Sequence, residues 1–222
     1  MDNATGVATL IEAARAMGRP GHRPRRPILF AAVTAEEIGL LGASYLADHP
    51  PGRGRVISVV NLDMPVLTYA FSDVTAFGAE HSTLGPIVAR AAARMGVRVA
   101  PDPLPEEGLF TRSDHYPFVQ RGIPSVFLMT GFEGEGRQRF TSFLEDYYHS
   151  PRDDMRLPFD WNAAARFARL NYLIAREIAE EAEAPRWYAD SFFAAAVGGG
   201  QSLAQRPRSG GVDAAEGHAA PR

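Results

Sequence analysis

Two adjacent carboxylates, Glu36 and Glu37, follow the apolar run ILFAAV that starts at Ile28. Charge at the end of a buried strand is costly unless something pairs with it. A second apolar run, RVISVVNLDM, ends near Asp63, and the opening MDN places Asp2 just ahead of an amphipathic stretch. His149 stands in YYHSPRDD, shortly before a long helical pattern. In sheets flanked by helices, functional side chains collect at the carboxyl ends of strands, so neighbouring strand ends would bring Glu36, Glu37 and Asp63 together. Carboxylates gathered in this way need a cation, or one of them must hold a proton. Where the cation is zinc, histidine is the usual further ligand. Zinc lowers the pKa of water to about 7, and a nearby carboxylate can then accept its proton.

Each of these residues also has a plainer explanation. Asp2 alone reads as a helix N-cap. A lone Glu-Glu before a helix reads as first-turn charge complementing the dipole. Asp63 would serve as a turn residue at a strand end, and His149 as a surface or capping histidine. Found together, each at a strand-to-helix or loop junction, they are poorly explained one at a time.

The elements that must position them follow from periodicity. Val7, Leu10, Ile11 and Ala14 recur at helical spacing, which predicts a helix over residues 4–17. RPGHRPRRP is a turn-rich connection. Residues 28–33 have strand length and no polar alternation, so a strand buried on both faces is expected. GLLGASYLAD reads as a helix, RVISVVNLDM as a second buried strand and VTAFG as a third. STLGPIVARAAARMG then reads as a helix, and RGIPSVFLMTG as a further strand. Phe167, Leu170, Ile174 and Ile178 line one face of the clearest helix, over residues 161–181. Strands alternating with helices predict an α/β domain with a largely parallel sheet. After about residue 197 the composition turns to Gly, Ala, Pro, Arg and Gln, which predicts one domain over 1–197 and a disordered tail over 198–222.

Bulk properties narrow the function. The 222 residues suffice for one medium domain with a sizeable core, and no apolar run is long enough to span a bilayer. A formal net charge of −3 argues against nucleic-acid binding driven by bulk electrostatics. All 23 basic residues are Arg, which fits GC-rich coding better than selection for phosphate binding. The chain has no Cys, so disulfides, thiolate metal sites and thiol nucleophiles are excluded.

The stretches DNATGVATL, TAEEIGLLGASYL, NLDM, TRSDHYPF and YYHSPRDD, in that order, resemble the co-catalytic di-zinc aminopeptidases of metallopeptidase family twenty-eight, over residues 2–180. The resemblance implies a mixed, mostly parallel central sheet with helices on both faces, peptide substrates, and two zinc ions in the complete protein. It implies that Asp2 bridges the two ions, with an Asp2–Asn3 peptide bond that is often cis in the family. Glu37 and His149 are implied as the other protein ligands of one ion, and Asp63 as a ligand of the second. Glu36 is implied as the general base, and Tyr148 as the residue that hydrogen-bonds the tetrahedral oxyanion; ordinary packing is the alternative for a Tyr beside a ligand. Asp114 and His115 are expected to support the site without touching metal, with a local capping role as the alternative. His22, His49, His81 and His218 sit in turn or tail contexts and are not expected to bind metal.

One departure from the family stands out. The family's fifth ligand is a histidine upstream of the bridging aspartate, and here only Met1 precedes Asp2. The expectation is therefore a chain without the family's N-terminal strands, holding one complete zinc site and one incomplete one. His115 is the first alternative source of the missing ligand. Asp2 is expected to be anchored from one side only, through Val7, Leu10 and Ile11. The family suggests a secreted or periplasmic protein. Two other readings stay open: a glutaminyl cyclase-like enzyme with one zinc and a similar Asp, Glu and His set, and a non-catalytic module of the same fold.

Overall fold

The computed structural model describes residues 1–21, 23–52, 54–196 and 202–207. Helix α1 (Ala4–Met17) starts where the Asn3 side chain accepts a hydrogen bond from Gly6 N at 3.1 Å. Its buried positions are Thr5, Gly6, Thr9, Ala13 and Met17, and this face packs on the long helix α6 (Trp161–Glu180). Val7 and Ile11 instead face outward, 42% and 51% exposed. The helix is where its periodicity placed it, but apart from Met17 its buried residues are small, which permits close approach.

Four strands, β1 (Val59–Asn61), β2 (Asp73–Phe77), β3 (Arg98–Ala100) and β4 (Ser125–Thr130), make one sheet in the order β1-β4-β2-β3. β1 runs parallel to β4, and β2 parallel to β3, while β2 and β4 are antiparallel with Phe77 opposite Phe127. A parallel neighbour requires a crossover, and α3 (Leu84–Ala93) supplies the one between β2 and β3. The two central strands are buried along their whole length, as DVTAF and SVFLMT without solvent-side alternation require. Helices α2 (Leu41–Asp48), α4 (Tyr116–Gln120) and α5 (Gly136–Asp146) complete the layers. The result is the mixed, mostly parallel sheet flanked by helices that the alternating pattern predicts.

The apolar face of α6 closes the core. Phe167, Leu170, Ile174 and Ile178 are all buried, and Phe167 meets Phe71 edge to face at 6.1 Å. Asp160 caps this helix, accepting from Asn162 N and Ala163 N, both at 2.9 Å. No helix among the described residues is long and apolar enough to cross a membrane.

Three features differ from the sequence-based expectation. Residues 28–33 are not a strand, and Leu29 is 54% exposed. An apolar run becomes a strand only where a neighbouring edge supplies hydrogen bonds, and among the described residues none is paired with this one. Helix α5, GRQRFTSFLED, is not announced by its sequence, because only Gly136, Phe140 and Phe143 are buried and its start has no side-chain cap. The third lies within the expected tail, where residues 202–207 touch the domain. Ala204 is buried, its N–H donates to Trp187 O at 2.8 Å, and its carbonyl accepts from Ala189 N at 2.9 Å. Arg206 forks onto Asp190 at 2.9 and 3.3 Å, donates to Glu80 O at 2.8 Å and lies over the Tyr188 ring. One small residue and one Arg make these contacts, so composition conceals them. Residues 198–201 and 208–222 of that expected tail lie outside the described residues.

Deleting residues 202–222 is therefore expected to lower the melting temperature, by roughly 2–4 °C for each kcal/mol lost in a chain of this length. An unchanged melting curve would show that the Ala204 and Arg206 contacts contribute nothing.

Candidate active site

Asp2 does not cap α1; Asn3 does, and its amide has a second task. While Oδ1 accepts from Gly6 N it also accepts from Met64 N at 3.1 Å, and Nδ2 donates to Leu62 O at 3.2 Å. A single side chain thus holds the start of α1 to the backbone on both sides of Asp63. The approach is so close that a Cβ at Gly6 would lie 2.3 Å from Leu62 O, which leaves glycine as the residue that fits. The Asp2–Asn3 peptide bond is cis. Asp153 accepts from the Met1 amino group and, at 2.7 Å, from Asp2 N, while the Met1 side chain lies in the hydrophobic core. The expectation of one-sided anchoring is thus corrected: Asn3 and Asp153 fix Asp2, and the outward-facing Val7 and Ile11 do not.

Glu36 and Glu37 lie on a tight turn ahead of α2 and not in its first helical turn. Glu36 O accepts from Gly39 N at 3.0 Å and from Leu40 N at 2.9 Å, and Gly42 N donates to Thr34 O at 2.9 Å. The non-glycine residues with left-handed backbone, among those described, are Ala35, Leu40, Met64 and His149, at φ 60°, 56°, 31° and 52°. Ala35 precedes Glu36, Leu40 ends the turn that carries both glutamates, and Met64 follows Asp63. Such conformations cost on the order of 1–3 kcal/mol each and persist where surrounding structure dictates them. Here they gather around the carboxylates.

His149 Nε2 is 2.8 Å from Glu37 Oε1 and 3.3 Å from Asp2 Oδ2. One ligand atom from each of Asp2, Glu37 and His149 falls within 4.8 Å of the other two. Ionised carboxylates only accept, so in this contact Nε2 carries the hydrogen; as a metal ligand the ring would present the Nε2 lone pair instead, with its hydrogen on Nδ1. The Tyr148 ring stacks on His149 at 3.8 Å and fixes the plane of the imidazole. Asp63 stands outside this trio, and its Oδ2 accepts from Ser113 Oγ at 2.7 Å, which in turn accepts from Asn61 Nδ2 at 2.7 Å.

The electrostatics are those of crowded, partly buried carboxylates. Burial first, then the charges of Asp63 and Glu37, raise Asp2 above the usual carboxylate range, against a lowering by His149. Asp63 is likewise raised, mainly by burial and with a smaller push from Glu37, while the Ser113 and Met64 hydrogen bonds oppose the rise. Glu36 is pushed up to about 7 by burial and by Asp63, Glu37, Asp114 and Asp2. Asp114 rises to about 6 through burial and Asp63. Two carboxylate oxygens and one imidazole nitrogen within a single ion's reach, amid uncompensated negative charge, fit a divalent zinc-type cation.

Among the described residues, no other histidine joins this group. His115 is fully buried, its Nε2 donates to Phe110 O at 2.6 Å, and it is not gathered with Asp2, Glu37 and His149. His49 stacks on Tyr45, and His81 lies near Ser191. His22 and His218 lie outside the described residues. Reading the sequence missed Asn3, Ser113 and Asp153, although all three stand inside the quoted motifs. Side chains that act by holding backbone or another side chain leave no charge pattern to notice.

A model of peptidase family M28 matches residues 1–175 of the chain. The chain belongs to that family. Leupeptin-inactivating enzyme 1 of Streptomyces exfoliatus is 32% identical over 135 residues, covering 59% of this chain and 28% of that protein. Aminopeptidase YwaD of Bacillus subtilis (strain 168) is 27% identical over 159 residues, covering 69% of this chain and 32% of that protein. A peptidase M28 precursor from Shewanella amazonensis SB2B, known from a crystal structure, shares the fold with a TM-score of 0.60 at 20% identity; the match covers 84% of this chain and 39% of that one. The chain thus spans about a third of the length of these two curated relatives.

Asp153→Asn would turn an acceptor on Asp2 N into a side chain that can offer a donor. Zinc affinity is expected to fall about 10–100-fold, the usual cost of losing a group that orients a ligand; an unchanged binding isotherm would remove Asp153 from this role. His115, which burial pushes down to about 4, should stay neutral through the ordinary histidine range. Its ring resonances followed by NMR should titrate near that value, and a midpoint between 6 and 7 would contradict the buried placement.

Proposed function

We propose that the chain carries the catalytic centre of a zinc-dependent aminopeptidase that hydrolyses N-terminal peptide bonds. The supporting observation is the convergence of Asp2, Glu37 and His149 with Glu36 beside them but outside the trio. Asp2, Glu37 and His149 would hold one ion, and Asp63, with Asp2 shared, would serve a second in the complete protein. Bound zinc supplies Lewis acidity, polarising a carbonyl and lowering the pKa of water to about 7.

The remaining steps fall to side chains. Glu36, next to a ligand yet not one itself, takes the proton of the attacking water and returns it to the leaving amine. A base works best with a pKa near the operating pH, and the burial and neighbouring carboxylates that raise Glu36 act in that direction. Tyr148 is kept a phenol by burial and by the charges of Asp2, Glu37, Asp63 and Glu36, so its O–H remains available to a developing oxyanion. The surplus of carboxylates over cationic side chains favours a substrate that presents an ammonium group, as a peptide N-terminus does.

A single three-donor set is also what a one-zinc glutaminyl cyclase would use. Release of pyroglutamate from an N-terminal glutaminyl peptide, against hydrolysis of a panel of aminoacyl p-nitroanilides, separates the two. Glu36→Gln is expected to retain zinc while turnover falls about 10²–10⁴-fold, and Glu37→Gln to lose zinc and turnover together. If metal content follows Glu36 instead, the two roles are exchanged.

A further inference from the structure

Beyond the family-matched residues the chain folds back as a strap over 186–196. Thr83 N donates to Arg186 O at 2.9 Å, Tyr188 N donates to His81 O at 2.9 Å, and the Trp187 indole donates to Gly122 O at 2.9 Å. These bonds seat Phe193 in an aromatic cluster, 4.9 Å from His81, 5.1 Å from Phe110 and 5.6 Å from Trp187, centroid to centroid. Phe110 has little freedom on its other sides. A Cβ at Gly78 would lie 2.0 Å from its ring, and His115 packs against it at 5.0 Å.

Phe110 and His115 close a short loop, because the His115 ring donates to the Phe110 carbonyl at 2.6 Å. Ser113 stands inside that loop, buried, with its carbonyl accepting from Tyr116 N at 2.9 Å. Its hydroxyl is the group that donates to Asp63 at 2.7 Å and accepts from Asn61. A hydrogen bond of this kind is lost when its partners separate by about 1 Å. We propose that the strap, through Phe193, is a positioning element of the active centre: it clamps the loop closed by Phe110 and His115 and thereby sets the Ser113 hydroxyl against Asp63. Phe193 touches no reacting group and acts through Ser113. The proposal rests on the aminopeptidase reading only for the role of Asp63 as a zinc ligand.

The test compares the wild type with Phe193→Ala and Phe193→Tyr. In metal-free protein the side-chain amide resonances of Asn61 report where Ser113 sits, with Ser113→Ala as the reference for a lost contact. Phe193→Ala should move these resonances toward the Ser113→Ala positions and, in the complete protein, weaken about tenfold the second zinc, the one that Asp63 would serve. Phe193→Tyr, which keeps the ring, should restore both. A folded Phe193→Ala protein with wild-type Asn61 resonances and a wild-type zinc isotherm would overturn the proposal and leave the strap a stabilising element only. Wild-type protein that bound no zinc would defeat the metal reading, while the Asn61 resonances would still decide the clamp. Should Phe193→Ala not fold, Phe193→Leu, which removes the ring but keeps apolar volume, carries the same comparison.

Discussion

The side-chain amide of Asn3 joins the first turn of α1 to the backbone on both sides of Asp63. It satisfies one of the free N–H groups of the helix start and at the same time holds two carboxylates, one preceding it in the chain and one sixty residues later, in the same small volume. Everything else at the centre is arranged around that junction. Gly6 leaves room for it, Asp153 grips Asp2 from the far side, and Ser113 and Asn61 fix the orientation of Asp63.

Bringing these acids together has an electrostatic consequence. Asp2, Asp63, Glu36 and Asp114 all lie above the usual carboxylate range in the folded chain. A carboxyl raised on folding binds its proton more tightly in the native state, so its contribution to stability is present in acid and is lost as pH rises through the folded value. For Asp114 and Glu36 those values are about 6 and about 7, so the strain grows across the neutral range. A divalent cation removes the same repulsion without a proton. If a cation binds there, its affinity and the folding stability would be linked at this site.

Much of this was legible before the structure. The adjacent Glu36 and Glu37, the terminal Asp63 and His149 in its loop stood out because charge beside apolar runs needs a reason, and α6 stood out because four large residues recur at helical spacing. What stayed hidden has physical causes. Residues 28–33 have the composition of a strand, but composition does not supply a pairing edge. The burial of α1 runs through Thr5, Thr9 and Ala13, residues too small to register in a hydrophobic pattern. Asn3, Ser113 and Asp153 work by hydrogen bonds that span the chain, and the packing of Ala204 depends on two backbone bonds that any residue can make.

The proposed function stands or falls with Asp2, Glu37 and His149 forming one cation site. Anomalous diffraction at the zinc absorption edge, from crystals grown or soaked with zinc, would locate the ion. The expected result is a peak with His149 nitrogen and one oxygen each of Asp2 and Glu37 at about 2.0–2.2 Å. Zinc bound elsewhere on the chain, with His149 still hydrogen-bonded to Glu37 and no density between the three side chains, would contradict it.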